Sequence, residues 1–379
     1  MFALTALATA CRKAYDPPAI TSQGTYLVVE GDINTSGVTT VILSNTVNIS
    51  STVTTNPVTG AAISIQSNQG ASYQLTASTQ PGVYQSANLN LPAGPQYRLS
   101  IATAAGQQYY SDYEPVIYNP PIDSVGYILS GTGIQLYVNT HDPTNNTKYF
   151  RWDYGETWIF NTEYGSAYIT NGVTIVPRTA QQIISRCFAS DSSTNIFLGS
   201  TADLKQSIVY QNPLTAIPST SEKLETEYSI EVNQHALSAD AYNFWTLLKE
   251  NTENLGGIFD PQPSNLNSNV HNSLKPAEMV VGFVNVSSTQ TRRVFIYRSN
   301  LPNWTATYPY PCQIDSDYYV HPKSNVNDVA VNLIPLTSLS IPIQPWPNIY
   351  FPVGWLASSI PCVDCTIRGT TTEPPFWKY

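Results

Sequence analysis

Charge is what this sequence has least of. Only 11% of its 379 residues are Asp, Glu, Lys or Arg, against roughly 25% in an ordinary globular chain. The 17 basic residues form no run and the net charge is −9, which excludes nucleic acid as a partner, because phosphate contacts need clustered cations. Histidine is scarce too: His141, His235, His271 and His321 are the four, none in an H-E-x-x-H arrangement. G-x-S-x-G elbows, P-loops and dinucleotide fingerprints are missing as well, so no hydrolase triad, zincin or nucleotide enzyme is expected. No stretch approaches ~18 consecutive apolar residues, so no helix is expected to span a bilayer.

What the chain does have is 42% hydrophobic residues, 25 tyrosines and 28 prolines, with Ser, Thr, Asn and Gln supplying the polarity. Such surfaces suit β-rich exported proteins. The first ten residues, MFALTALATA, end at Cys11, and Ala8-Thr9-Ala10 before a cysteine resembles the close of a bacterial lipoprotein signal, although its basic opening segment is missing. On this reading Cys11 is lipidated. Arg12 follows it rather than Asp, which places the acylated protein in the outer membrane.

The remaining cysteines are Cys187, Cys312, Cys362 and Cys365. Export makes structural disulfides the expectation. The C-x-x-C spacing of Cys362 and Cys365 also suits zinc or thiol exchange, but a four-cysteine zinc site draws on two close pairs and a redox motif opens a helix beside a βαβ unit. Neither context is present, and no metal or cofactor is expected. Three pairings remain open.

In chain order, residues 12–24 read as a tether. From 25 to 118 come short strand-like segments such as TYLVVEGDI, AAISIQS and QYRLSIAT, rich in β-branched and aromatic residues and punctuated by glycine and proline, which predict a β-sandwich. Asn119-Pro120-Pro121 reads as an extended hinge. Residues 119–299 predict a second sandwich of immunoglobulin or fibronectin type, with Trp152 as core tryptophan and Arg151 and Asp153 on the opposite face. One helix interrupts it, over about 238–254: Ser238 suits an N-cap, and Ala241, Phe244, Trp245 and Leu248 form an apolar stripe that reads as core packing. Gly256 and Gly257, then Asp260-Pro261, end it. Residues 300–379 hold 12 prolines, four tryptophans and three cysteines; they predict no regular sheet, only an irregular region stapled to the second domain.

The motifs LVVEGDI, PVTGAAISI, THDP before YFRWDYGETW, YSIEVNQ followed by LSADAYNFW, IFDPQPSN, and CVDC closing with PPFW occur in that order. Together they resemble the Bacteroidetes lipoproteins grouped as domain of unknown function 4249 (DUF4249). The resemblance runs from about Cys11 to Trp377 and implies a surface lipoprotein associated with a Sus-type TonB-dependent transporter. It carries over no catalytic residue.

Two surfaces compete for a binding role. Trp304, Tyr308, Tyr310, Trp346, Tyr350, Trp355 and Trp377 lie in proline-rich segments where no strand period forces them inward, so they suit sugar stacking or docking on a barrel rim; equally, they suit packing of the tail on the second domain. The polar loops of the sandwiches are the other candidate. Asp153 and Glu156 are a carboxylate pair of the kind a glycosidase uses, a weaker reading because close acid pairs are common. The expectation is a non-catalytic outer-membrane lipoprotein serving as accessory or ligand-capture subunit of a TonB-dependent barrel. A structural or adhesive envelope protein is the alternative.

Overall fold

The computed structural model describes residues 25–47, 55–253 and 266–377. Cys11, the tether and the helix-ending glycines lie outside the described residues.

The first body is one continuous run of hydrogen-bonded strands folded over a single core. Its order is Val270–Asn272, Gln108–Ser111, Gln96–Ala102, Ala62–Ser67, Ser72–Ala77, Val83–Asn90, Ser36–Asn45, Leu27–Glu30 and Val280–Val281. Strand alternation drives it: Tyr97, Leu99 and Ile101 point inward and are buried, while Arg98 and Ser100 between them are only partly covered. Two of these strands, and a third at Val286–Ser287, come from the segment expected in the second sandwich. Val270–Asn272 pairs antiparallel with Gln108–Ser111, whereas Val280–Val281 and Val286–Ser287 pair parallel with Leu27–Glu30 and Ile33–Asn34. Periodicity identifies a strand but not the sheet that receives it. Gly282 makes the parallel approach feasible, since a Cβ there would sit 2.2 Å from the Val29 carbonyl oxygen at φ +152°.

The second body is a fibronectin-like sandwich. A three-stranded sheet (Ile122–Ser130, Gly133–Asp142, Ser207–Pro218) faces a sheet ordered Arg186–Ser192, Tyr149–Asn161, Glu227–Leu237, Thr289–Tyr297, with Phe197–Ser200 also paired to Tyr149–Asn161. Trp152 fills the core as expected, its indole N–H donating to Gln234 Oε1 at 3.0 Å. The connection between Glu227–Leu237 and Thr289–Tyr297 leaves this body, forms the helix Ala239–Glu253, supplies the three returning strands to the first body, and comes back.

Asn119 and Pro120 consequently form a buried joint and not an extended hinge, while Pro121 is exposed. Asn119 and Gln234 are both buried. The Asn119 amide donates to the Gln234 and Ser288 carbonyls, each at 2.7 Å, and Gln234 Nε2 donates to Asn119 Oδ1 at 3.0 Å and to the Pro120 carbonyl at 2.7 Å. Each such satisfied bond adds about 1 kcal/mol net, and more is lost if one partner is removed.

The C-terminal region does form a sheet, contrary to expectation. Gly354–Ser359 is the central strand, flanked antiparallel by Asp315–Tyr318 and Ser340–Trp346. Pro342 and Pro345 are tolerated because their strand is an edge, where a missing N–H breaks no second ladder. Val329, Leu333, Trp355 and Ala357 form its core, packed on Tyr168 and Ile175 of a hairpin projecting from the second sandwich. The disulfides are Cys187–Cys365 and Cys312–Cys362, so the two cysteines of C-x-x-C serve different bridges. Beyond them Trp377 wedges edge-on between Phe188 and Phe295, and Thr370 exchanges backbone hydrogen bonds with Phe188, covering the free edge of Arg186–Ser192.

Candidate functional site

The helix adjoins the most chemically loaded constellation among the described residues. Ser238 caps it, its Oγ accepting from the Ala241 N–H at 3.1 Å, and Ala241 and Phe244 are buried with Leu237 and Phe283. Trp245, one step round the stripe, is half-buried instead. Its ring lies under the Arg151 guanidinium, 4.4 Å from the ring centroid, a cation–π contact. Phe244 is core as expected, and Trp245 packs against the same apolar cluster while it also has one face on a charge cluster.

That cluster joins the two bodies. Arg151, on strand Tyr149–Asn161, donates from Nη2 to Asp32 of the first body at 3.0 Å and lies 3.5 Å from Asp153. His235 approaches Asp153 with Nε2 at 2.7 Å and Asp32 with Nδ1 at 3.6 Å. Asn233 donates to the other oxygen of Asp153 at 2.8 Å, and the Asn285 N–H reaches Asp32 at 3.3 Å. Burial works against ionisation of Asp153, but the His235 hydrogen bond and charge, Arg151 and Asn233 outweigh it and hold its pKa down to about 2. A carboxylate so held is no general acid near neutrality. Both nitrogens of His235 face carboxylates, which leaves neither directed at a substrate. The group acts as an interbody lock.

Beside the lock is a cleft of about 350 Å³, within the usual size of small-molecule sites. Val28, Val29, Phe244, Trp245, Leu248 and Phe283 give it apolar walls, Ile196 joins from the second body, and among the described residues Glu30 supplies the one carboxylate of its lining. Among the described residues the Trp245 indole N–H is buried without an acceptor, a condition native interiors rarely tolerate. Nothing in the sequence separates this tryptophan from its core neighbours at helical spacing; the signal is Arg151, 94 positions earlier, which only the fold brings over the ring.

The aromatics of the tail fall out differently. Trp355 and Trp377 are buried, and Trp304, Tyr308, Tyr310 and Trp346 are half-buried. Trp304 packs against the second core, Tyr308 donates to Glu225 at 3.3 Å, the Arg368 guanidinium lies 5.7 Å from the Tyr310 centroid, and Trp346 meets Tyr318 edge-on. Tyr350 alone of the seven is exposed. Asp153 and Glu156 lie on opposite faces of their strand: Glu156 is buried, bonded to Tyr228 at 2.7 Å and paired with Lys223. Two carboxylates so placed cannot flank one glycosidic bond. His141–Asp123 and His271–Asp112 are exposed pairs, and Asp142 caps its own turn, accepting from Thr144, Asn146 and Thr147. Among the described residues no group of three His, Cys, Asp or Glu could hold a metal, and no helix is long and apolar enough to cross a membrane.

Residues 12–293 match the profile of a family described as "Domain of unknown function (DUF4249)". No curated protein matches the chain. Solved structures that align include a two-domain fibronectin type-III segment of chicken tenascin, 9% identical at a TM-score of 0.18, covering 56% of this chain and 93% of that one. A DUF4785 family protein from Legionella pneumophila aligns at 13% identity and a TM-score of 0.20, over 49% of this chain and 56% of its own. At such scores the fold rests on this chain's own strand order.

Proposed function

The chain belongs to the DUF4249 family, and from that premise we propose that it is a non-catalytic lipoprotein of the outer membrane, acylated at Cys11, that captures a ligand as accessory subunit of a TonB-dependent transporter. The observation that carries this reading is the cleft between the two bodies, apolar, of small-molecule size, and walled by Trp245, Phe244 and Phe283. The joint at Asn119 and the lock at Arg151 support it by holding the cleft walls in fixed register, so little ordering cost accompanies binding. An acyl anchor would confine the protein to the membrane plane and raise its concentration beside a barrel. The ligand class that fits this lining is a small, mainly apolar molecule.

Native mass spectrometry of the protein, gently extracted from its own membranes, tests the capture. A small molecule should accompany the wild type and be lost from Trp245→Ala, with circular dichroism showing that the variant is still folded. A ligand-free wild type, or a ligand indifferent to that substitution, rejects the cleft as its site.

A further inference from the structure

The hairpin that ends the C-terminal sheet turns its largest side chains outward. Ile349, Tyr350 and Phe351 are 63, 84 and 80% exposed, yet the turn is built: the backbone N–H groups of Tyr350 and Phe351 both donate to Asn348 Oδ1, at 2.9 and 3.0 Å. The Tyr319 N–H donates to the Val353 carbonyl, which brings exposed Tyr319, Val320 and Val353 to the same end of the sheet. Charge is distributed in the same sense. On a chain of net charge −9, no Asp or Glu occurs at 318–327 or at 346–354, and exposed Lys323 is the one full cation of those segments.

The three tip side chains present on the order of 400 Å² of mostly apolar surface. A stable protein complex draws about 800 Å² from each partner and needs a matching shape. A hairpin tip with fanned side chains offers less than that, whereas the boundary between headgroups and acyl chains is fluid, needs no complementary surface, and favours Tyr beside apolar residues with a nearby cation. We propose that the 347–353 tip inserts into the interfacial layer of a lipid bilayer, with Lys323 against lipid phosphates. This contact is independent of acylation at Cys11. Added to an acyl chain, it is a second attachment that fixes which way the sandwiches face the membrane.

The test is flotation of the full chain carrying Cys11→Ser, so that no acyl chain contributes, with vesicles of phosphatidylethanolamine and phosphatidylglycerol. The protein should float, and Ile349→Ser/Tyr350→Ser/Phe351→Ser should weaken partitioning at least about tenfold. Lys323→Glu should weaken it on these anionic vesicles and much less on neutral phosphatidylcholine. Emission of Trp346, next to the tip, should be quenched by lipids brominated on the acyl chain, a readout that needs no tip variant to fold. Failure of the Cys11→Ser protein to float overturns the proposal. So does equal flotation of the triple variant, and if that variant instead loses an envelope protein partner, the tip is a protein dock.

Discussion

Arg151 of the second sandwich and Asp32 of the first form an ion pair at 3.0 Å across the boundary between the bodies, with Asp32 only 8% exposed. Removing one partner of such a pair leaves the other buried and uncompensated, which is costlier than the pair itself is worth. Arg151→Ala should therefore lower unfolding stability by about 3–5 kcal/mol, and it also strips the cation from Trp245. Urea denaturation followed by tryptophan fluorescence measures the change. A loss under about 1 kcal/mol would show the pair to be solvated and the bodies free to move.

Asp153 gives the junction a defined acid sensitivity. Its pKa is depressed in the folded state, from 3.8 to about 2. A depressed carboxylate pKa means that the folded state binds the proton less well than the unfolded state does. The stabilisation is therefore complete above about pH 4 and is lost as pH falls through about 2. Denaturation midpoints for wild type and Asp153→Asn should differ near neutrality and converge toward pH 2. Parallel curves over that range would show that Asp153 is not engaged by His235 and Arg151.

The parallel strand pairing depends on a missing side chain. Gly282→Ala would place a Cβ 2.2 Å from the Val29 carbonyl oxygen, so strand Val280–Val281 must move off Leu27–Glu30. The expected loss is above about 2 kcal/mol, with faster amide exchange at Val28 and Val281. Unchanged exchange would mean that the edge strand is not docked as described.

The disulfide Cys312–Cys362 closes a 50-residue separation around the C-terminal sheet. Cys312→Ala/Cys362→Ala should cost about 2–4 kcal/mol and open the segment around 313–360 to proteolysis, while the fragment ending before it stays folded. Peptide mapping of the unreduced protein should recover Cys187 linked to Cys365, and any other pairing contradicts the arrangement.

Much of the architecture can be read from local pattern. Strand alternation at Tyr97, Leu99 and Ile101, the Ser238 cap, the core position of Trp152 and structural disulfides all follow from neighbours within a few residues. What escapes such reading is long-range. Val280 and Val286 read as strands, but only tertiary pairing assigns them to the first sheet. Asn119 before two prolines looks like a hinge because its amide's partners, Gln234 and Ser288, lie over a hundred positions away. Prolines 342 and 345 argued against a sheet because edge and central strands look alike in sequence. The tail aromatics stand out by composition, yet six of seven are at least half-buried, and the candidate cleft is walled instead by Trp245, where a helical stripe meets an arginine from a distant strand.

Partnership with a transporter is tested most directly by recovery of the C-terminally tagged protein from native membranes in mild detergent, with stoichiometric partners identified by mass spectrometry. A TonB-dependent barrel in near-equal amount is the predicted result. Recovery of the protein alone, with acylation at Cys11 intact, would contradict it and favour a structural or adhesive role for the joined sandwiches.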